Sequence, residues 1–213
     1  MAMEIVCLDL EGVLVPEVWI ALAEATGVEE LRLTTRDIAD YDELMRYRLR
    51  LLDAHGLTLP DLQAVIATMA PLPGAKDFVD WLERNFQLVV LSDTFYDFAR
   101  PLMVQLGFPV LFCHTLVTDA GGRITDYRLR LPNQKRAAVE AFRALAFPVF
   151  AAGDSYNDTA MLLAADYGVL FRPPAKVVEQ FPQLPVSQTF AEMADCFRGA
   201  SSRPLEPFPS ATV

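Results

Sequence analysis

Histidine is scarce in this chain. There are two, His55 and His114, in 213 residues. They stand apart with no partner motif, so both are read as structural or surface residues. Cysteine is scarce too: Cys7, Cys113 and Cys196 are odd in number and scattered. That spacing suits neither a zinc site nor a disulfide framework, and reduced, mostly buried thiols in a cytoplasmic protein are the simplest reading. No run approaches the roughly 18 apolar residues of a spanning helix, and MAMEIVCLDL has no basic region ahead of its apolar run, so no signal peptide is expected. Positive charge is short: Lys plus Arg is 18 against 28 for Asp plus Glu, a balance of −10. Nucleic acid and anionic membrane both call for a basic footprint, so neither is expected as a partner. There is no internal repeat and no low-complexity segment. What the chain has in quantity is apolar residues, 53%, enough for the core of one domain or of one domain with a small insert.

The pattern alternates between buried-strand runs and helical spacing. Strand runs are 4–9 (EIVCLD), 87–92 (QLVVLS), 109–113 (PVLFC), 148–152 (PVFAA) and 167–171 (YGVLF). Helical stretches are 17–26, 41–55, 59–70, 75–85, one that follows Ser92 to about Leu106, 133–145, 157–165 and 189–198, and Pro101 is expected to interrupt the fourth-last of these. Gly121-Gly122 separates two β-leaning runs in a hairpin over 115–131. Such alternation predicts an α/β protein with a doubly wound, Rossmann-like parallel sheet. Several helices and no strand lie between the first strand and the 75–85 helix, more chain than a crossover needs. Residues 17–72 are therefore read as a small helical cap inserted after the first strand, 1–16 and 73–200 as the core, and 201–213 as a frayed, flexible tail.

Three of these strands end in polar residues. Strand one runs into Asp9-Leu10-Glu11, the 87–92 strand into Ser92-Asp93-Thr94, and the 148–152 strand into Gly153-Asp154-Ser155-Tyr156-Asn157-Asp158. Ligands of open parallel sheets bind beyond the carboxyl ends of the strands. A parallel sheet brings these ends to one edge, where up to five carboxylates meet, and so many like charges need a counter-charge. An oxygen-loving divalent cation supplies it, and Mg²⁺ takes one or two carboxylates, waters and a substrate phosphate. Bland readings exist for each piece: Asp9 as a helix cap, Glu11 as a loop charge, Ser92 and Thr94 as caps, Lys135 beside Arg136 on a solvated helix face, Asp158 as a loop brace, and Trp19 and Trp81 as core.

Taken together, Asp9-Leu10-Glu11-Gly12-Val13, Ser92, Lys135 and the GDxxxD of Gly153 to Asp158 resemble the four motifs of the haloacid dehalogenase superfamily, in order, over about residues 4–198. The resemblance implies Asp9 as nucleophile, forming an aspartyl phosphate, and Glu11 as the acid and base that serves leaving group and acceptor. Glu11 needs a raised pKa for this, and crowding by Asp9 and Asp154 is expected to provide it. It also implies Mg²⁺ held by Asp9, the Glu11 carbonyl and Asp154, with Asp158 in support, and Ser92 and Lys135 on the phosphoryl oxygens.

The insert resembles that of phosphoserine phosphatases, in which a Glu after the first motif takes the substrate amine, matched by Glu17, and a cap Arg takes its carboxylate. Arg48 fits this best, with Arg46 and Arg50 as competitors, of which one faces the site. CLDLEGVLVPE, LSDTFY and AAGDSYND, with Glu11 and Asp93-Thr94 where plain phosphatases carry Asp and Gly-Gly, resemble the bifunctional phosphoserine phosphatase / phosphoserine:homoserine phosphotransferase family. That implies small-molecule substrates, phosphoserine and homoserine, with Asp93 and Asn157 among the substrate-binding residues and a monomer or homodimer as the assembly. The competing readings are a phosphatase for a sugar phosphate or nucleotide, and a phospho-receiver domain, against which the position of Asp9 on strand one and the insert both argue.

Overall fold

The computed structural model describes residues 3–34, 37–38 and 40–209. In chain order these form β1 (Ile5–Leu8), α1 (Val18–Thr26), a 3-10 turn (Glu29–Arg32), α2 (Tyr41–Ala54), α3 (Leu59–Ile66), α4 (Ala75–Asn85), β2 (Gln87–Phe95), α5 (Tyr96–Leu106), β3 (Val110–Thr118), β4 (Ile124–Arg128), α6 (Gln134–Ala144), β5 (Val149–Gly153), α7 (Tyr156–Ala164), β6 (Tyr167–Phe171), α8 (Ala175–Gln180), β7 (Val186–Ser187) and α9 (Phe190–Ala200). The strands make one sheet in the order β4-β3-β2-β1-β5-β6-β7. Every pairing is parallel except β3–β4, which is the predicted hairpin. The Rossmann-like sheet expected from the pattern is present; the 3-10 turn, α8 and the two-residue β7 are too short to give a period and were not expected.

Both faces of the sheet are buried, which is why its strands read as continuous apolar runs. Alternate residues of β1 go to opposite layers: Val6 and Leu8 join one core with α4, α5 and α9, while Ile5 and Cys7 join a second with α6 and α7. Burial pushes the Cys7 thiol far up, so it behaves as an inert apolar group. Among the described residues, the elements between β1 and α4 are helical, α1 to α3 and the 3-10 turn. Their ends have local causes. Asp40 caps α2 by accepting from Glu43 N at 2.8 Å, and Asp61 reaches back to Thr58 N at 2.8 Å to open α3.

Two expectations fail. Helix α5 runs through Pro101 without a break. Proline cannot donate to the carbonyl four residues earlier, that of Asp97, and the Gln63 side chain from α3 donates to it instead at 3.0 Å. The second concerns the tail. Residues 201–209 are anchored rather than frayed: Ser201 and Ser202 donate to the buried Glu4 carboxylate, Arg203 pairs with it at 3.2 Å, and Trp81 Nε1 donates to Glu206 O at 2.9 Å. Phe208 meets Phe78 and Trp81 edge-on. Residues 210–213 lie outside the described residues.

The Gln63–Asp97 bond gives a stability prediction. Gln63→Leu should cost about 0.5–1.5 kcal/mol in urea denaturation, the net worth of one such bond. In a Pro101→Ala background, where the helix regains its own donor, that cost should shrink, and a double-mutant cycle measures the difference.

Candidate active site

Register brings the three polar strand ends level. Leu8 lies opposite both Val90 and Ala152, and Asp9 N donates to Ala152 O at 3.0 Å. Asp9, Ser92 and Asp154 thus emerge together at the carboxyl edge, where the chain order reverses between β2 and β5. The chain after Asp9 folds back on itself at once, with Gly12 N donating to Val15 O at 2.8 Å and Val15 N to Leu10 O at 3.0 Å. Gly12 has φ 78, and a Cβ there would sit 2.6 Å from Asp154 Cγ. Only glycine lets this turn pack down on that carboxylate.

A cavity of about 490 Å³ opens over the edge, lined by Asp9, Glu11, Ser92, Asp93, Lys135 and Asp154 and, from the chain between β1 and α4, by Glu17, Trp19, Tyr41 and Arg48. Lys135, from the first turn of α6, is buried at its centre. Its Nζ lies 2.8 Å from Asp9 Oδ1, 2.8 Å from Asp158 Oδ1 and 3.7 Å from Asp93 Oδ2. Burial works against its charge, but Asp158, Asp9 and Asp93 outweigh it and hold the amine well above its ordinary value.

Each acid has a distinct setting. Burial drives the Asp9 carboxyl well up, Asp158 adds to this, and Lys135 opposes it. Asp154 is pushed up to about 7 by burial, then by Asp158 and Glu17. Burial would raise Asp93 also, yet Lys135, Gln134, His114 and Asn157 hold it below its usual value. Glu11 is raised too, by burial and not by the expected crowding from Asp9 and Asp154; the Val18 amide, Thr94, Arg48 and Lys135 oppose the rise. Its Oε2 accepts from Val18 N at 2.9 Å, which fixes the carboxyl at the start of α1.

Asp9, Asp154 and Asp158 each place an oxygen within 4.8 Å of the others. This all-oxygen donor set, packed by the Gly12 turn, fits a hard divalent cation. Asp158 is the least suited of the three to bind directly. Its Oδ2 accepts from Asp154 N and Ser155 N, at 3.0 and 3.1 Å, and its Oδ1 holds Lys135. It closes the capping box of α7. The Glu11 carboxyl is not in this group.

Of the three competing arginines, Arg48 lines the cavity. Arg46 pairs outside with Asp42 and Asp126, and Arg50 lies by Tyr47. Arg48 is buried, its Nη2 donates to Leu33 O at 2.8 Å, and its Nε has no partner among the described residues. Burial lowers it to about 10, against the raising influence of Glu11, Tyr41 and Glu17, so it stays charged near neutrality. Asn157 Nδ2 donates to Asp93 Oδ2 at 3.4 Å. Ser92 and Thr94 cap no helix: Ser92 Oγ accepts from Thr94 N at 3.3 Å.

Three neighbours had no signal of their own in the sequence. Tyr41 OH donates to Asp93 O at 2.9 Å, Gln134 Nε2 donates to Ser92 O and to Asp93 Oδ1, and Arg172 stands at the rim. His114, read as structural or surface, is buried with Nε2 3.6 Å from Asp93 Oδ1. Its Nδ1 accepts from Arg130 N at 3.2 Å, so the Nε2 side carries the proton toward Asp93.

A buried carboxylate at the end of a central strand, a buried lysine beside it and an acid cluster that fits a cation, on a doubly wound sheet, make a site suited to phosphoryl transfer. Residues 10–163 match the haloacid dehalogenase-like hydrolase family, and the chain belongs to it. A Pseudomonas syringae pv. tomato protein named phosphoserine phosphatase is 60% identical over 96% of this chain and 86% of its own. Phosphoserine phosphatase ThrH of Pseudomonas aeruginosa is 58% identical over 95% of this chain and 99% of its own. A solved phosphoserine phosphatase in apo form superposes with a TM-score of 0.74 at 20% identity, over 91% of this chain and 98% of that one, and so shares the fold.

The lysine cluster gives the next prediction. Lys135→Met leaves buried carboxylates without their cation and should cost about 3–5 kcal/mol at neutral pH without added metal. The uncompensated acids then have raised folded-state pKa values, which cost stability above those values. The loss should therefore shrink as pH falls, in urea denaturation series at neutral and acidic pH.

Proposed function

We propose that this chain is a Mg²⁺-dependent phosphotransferase that removes the phosphoryl group of phosphoserine and passes it to water or to homoserine. The observation that supports this reading is a single cavity lined both by Asp9, Ser92 and Lys135, which suit a phosphoryl group, and by Glu17 and Arg48, which suit the amine and carboxylate of an amino acid. The names of the two Pseudomonas relatives support the same substrate.

Asp9 attacks phosphorus while the bond to the serine oxygen breaks, and Glu11 gives its proton to that oxygen. Serine leaves, and an aspartyl phosphate remains on Asp9. An acceptor hydroxyl, from water or homoserine, then attacks phosphorus, Glu11 takes its proton, and the bond to Asp9 breaks. Lys135 and Ser92 hold phosphoryl oxygens throughout, with Asp93 and Asn157 orienting that end. Arg48 takes the substrate carboxylate and Glu17 the amine. Homoserine carries the same two groups, so they hold it after serine departs, and a bound alcohol competes with water through effective molarity. Asp9, Asp154 and the Glu11 carbonyl, with Asp158 behind them, would hold Mg²⁺, which would neutralise charge at the transferring group. Residues 17–72 act as the cap that selects the substrate.

The test is phosphorus NMR of enzyme, phosphoserine and Mg²⁺ with and without homoserine. Phosphate alone without homoserine, and phosphate plus phosphohomoserine with it, are expected. Phosphate as sole product at saturating homoserine would reduce the activity to hydrolysis. No consumption of phosphoserine, with turnover of a sugar phosphate or nucleotide, would overturn the substrate. Asp9→Asn should abolish turnover with the fold intact.

Gly12→Ala pushes a methyl group into the Asp154 carboxylate and strains the turn. Mg²⁺ binding measured by calorimetry should weaken by about tenfold or more, the scale of disturbing a ligand's support. Unchanged affinity would remove Asp154 from the cation's ligands.

A further inference from the structure

We infer that Trp19 is a positioning residue for substrate selection: its indole fixes the plane in which Arg48 presents its guanidinium to a substrate carboxylate. The inference rests on the reading of Arg48 given above and adds the group that makes it a directed clamp.

Trp19 belongs to an apolar stripe and is only 7% exposed, as a core residue would be. Yet it also lines the catalytic cavity, and Arg48 Cζ stands 4.3 Å from its ring centroid. A cation at that distance over an indole in a largely buried setting is held by the ring's quadrupole. Trp19 is itself braced. Phe98 meets it edge-on at 5.5 Å and 71°, and Phe95, the residue after Thr94, meets Phe98 at 5.7 Å and 86°. The ring under Arg48 is thus fixed to the same strand end that carries Ser92 and Asp93.

The guanidinium is restrained on two sides, by the indole and by the Leu33 carbonyl accepting from Nη2. Its Nε is buried with no partner among the described residues. An unmatched in-plane N–H on a fixed, planar cation calls for an in-plane acceptor, and a carboxylate, with two oxygens in one plane, matches the fork. Glu17 and Trp19 lie two positions apart at the start of α1. One helix turn therefore sets both the amine-binding acid and the orientation of the carboxylate-binding base.

Trp19→Met and Trp19→Phe should be compared on phosphoserine and on phosphoethanolamine, which has the phosphate and amine but no carboxylate. Trp19→Met should raise KM for phosphoserine about 5- to 20-fold, the range of a desolvated cation–π contact, and leave KM for phosphoethanolamine within about twofold, inside the spread of an ordinary surface change. Trp19→Phe, which keeps an aromatic face, should recover most of that discrimination. Emission gives an independent readout in the non-turning-over Asp9→Asn protein. Phosphoserine should shift Trp19 fluorescence by neutralising the cation above it, and phosphoethanolamine should not, while Trp81, fully buried against Phe78, supplies a constant background.

Equal KM increases on both esters would make Trp19 a plain wall and overturn the inference alone. So would an emission unchanged by saturating phosphoserine. Wild-type enzyme that ignores phosphoserine while turning over other monoesters would overturn the substrate reading and this inference with it. Should Trp19→Met fail to fold, Trp19→Phe and the emission titration decide the matter.

Discussion

One buried ammonium group organises this protein. Lys135 lies between Asp9 at the end of β1, Asp93 in β2 and Asp158 in the first turn of α7. Four elements that are distant in sequence must therefore arrive at one point with their charges matched. A buried ionic cluster adds little net stability relative to an apolar core, but removing one member leaves the rest uncompensated. It thereby punishes arrangements in which one of the four elements is misplaced. The backbone is shaped to the same end: a Cβ at Gly153 would sit 2.3 Å from that of Asp158, so α7 presses its acid directly on the end of β5.

The sheet and the helices before α4 divide the chemistry. The sheet edge provides rigid positions for acids and lysine, because β1, β2 and β5 are central and buried on both faces. The helices before α4 provide Glu17, Trp19, Tyr41 and Arg48, groups that distinguish one phosphate ester from another on the proposed reading. The two sets are joined at Asp93, whose carbonyl takes the Tyr41 hydroxyl from α2 while its carboxylate faces Lys135. His114 and Gln134 complete that joint from the hairpin side and from α6.

The strand ends were legible because two-sided burial makes a run of apolar residues conspicuous, and an acid straight after it more so. Asp9, Ser92 and Asp154 stood out for that reason, and Lys135 through the order of the motifs. Arg48 was preferred by resemblance, but Arg46 and Arg50 stayed in competition, since helix rotation is set by packing that a single sequence does not carry. Tyr41, Gln134 and His114 were invisible as site residues: they act through contacts made across 41 to 52 positions, or across the sheet from Asp93. Pro101 was misread because the donor that compensates it, Gln63, lies in another helix. The tail was misread from composition; its Pro and Ser residues surround Arg203 and Phe208, which find partners only once β1 and α4 are in place.

The pairing of Glu4 with Ser201, Ser202 and Arg203 bears on how the protein is made. Glu4 sits at the foot of β1, the strand that carries Asp9, and is 1% exposed. Its partners are translated some 197 to 199 positions later. A ribosome delivers β1 before the other strands, but this central strand acquires its second neighbour only with β5, and the Glu4 carboxylate at its foot meets Arg203 only when residue 203 has cleared the exit tunnel. The segment bearing Asp9 is thus made before the other strands of its sheet and is among the last to be secured, which makes nascent β1 a natural client for whatever shields unpaired strands during translation.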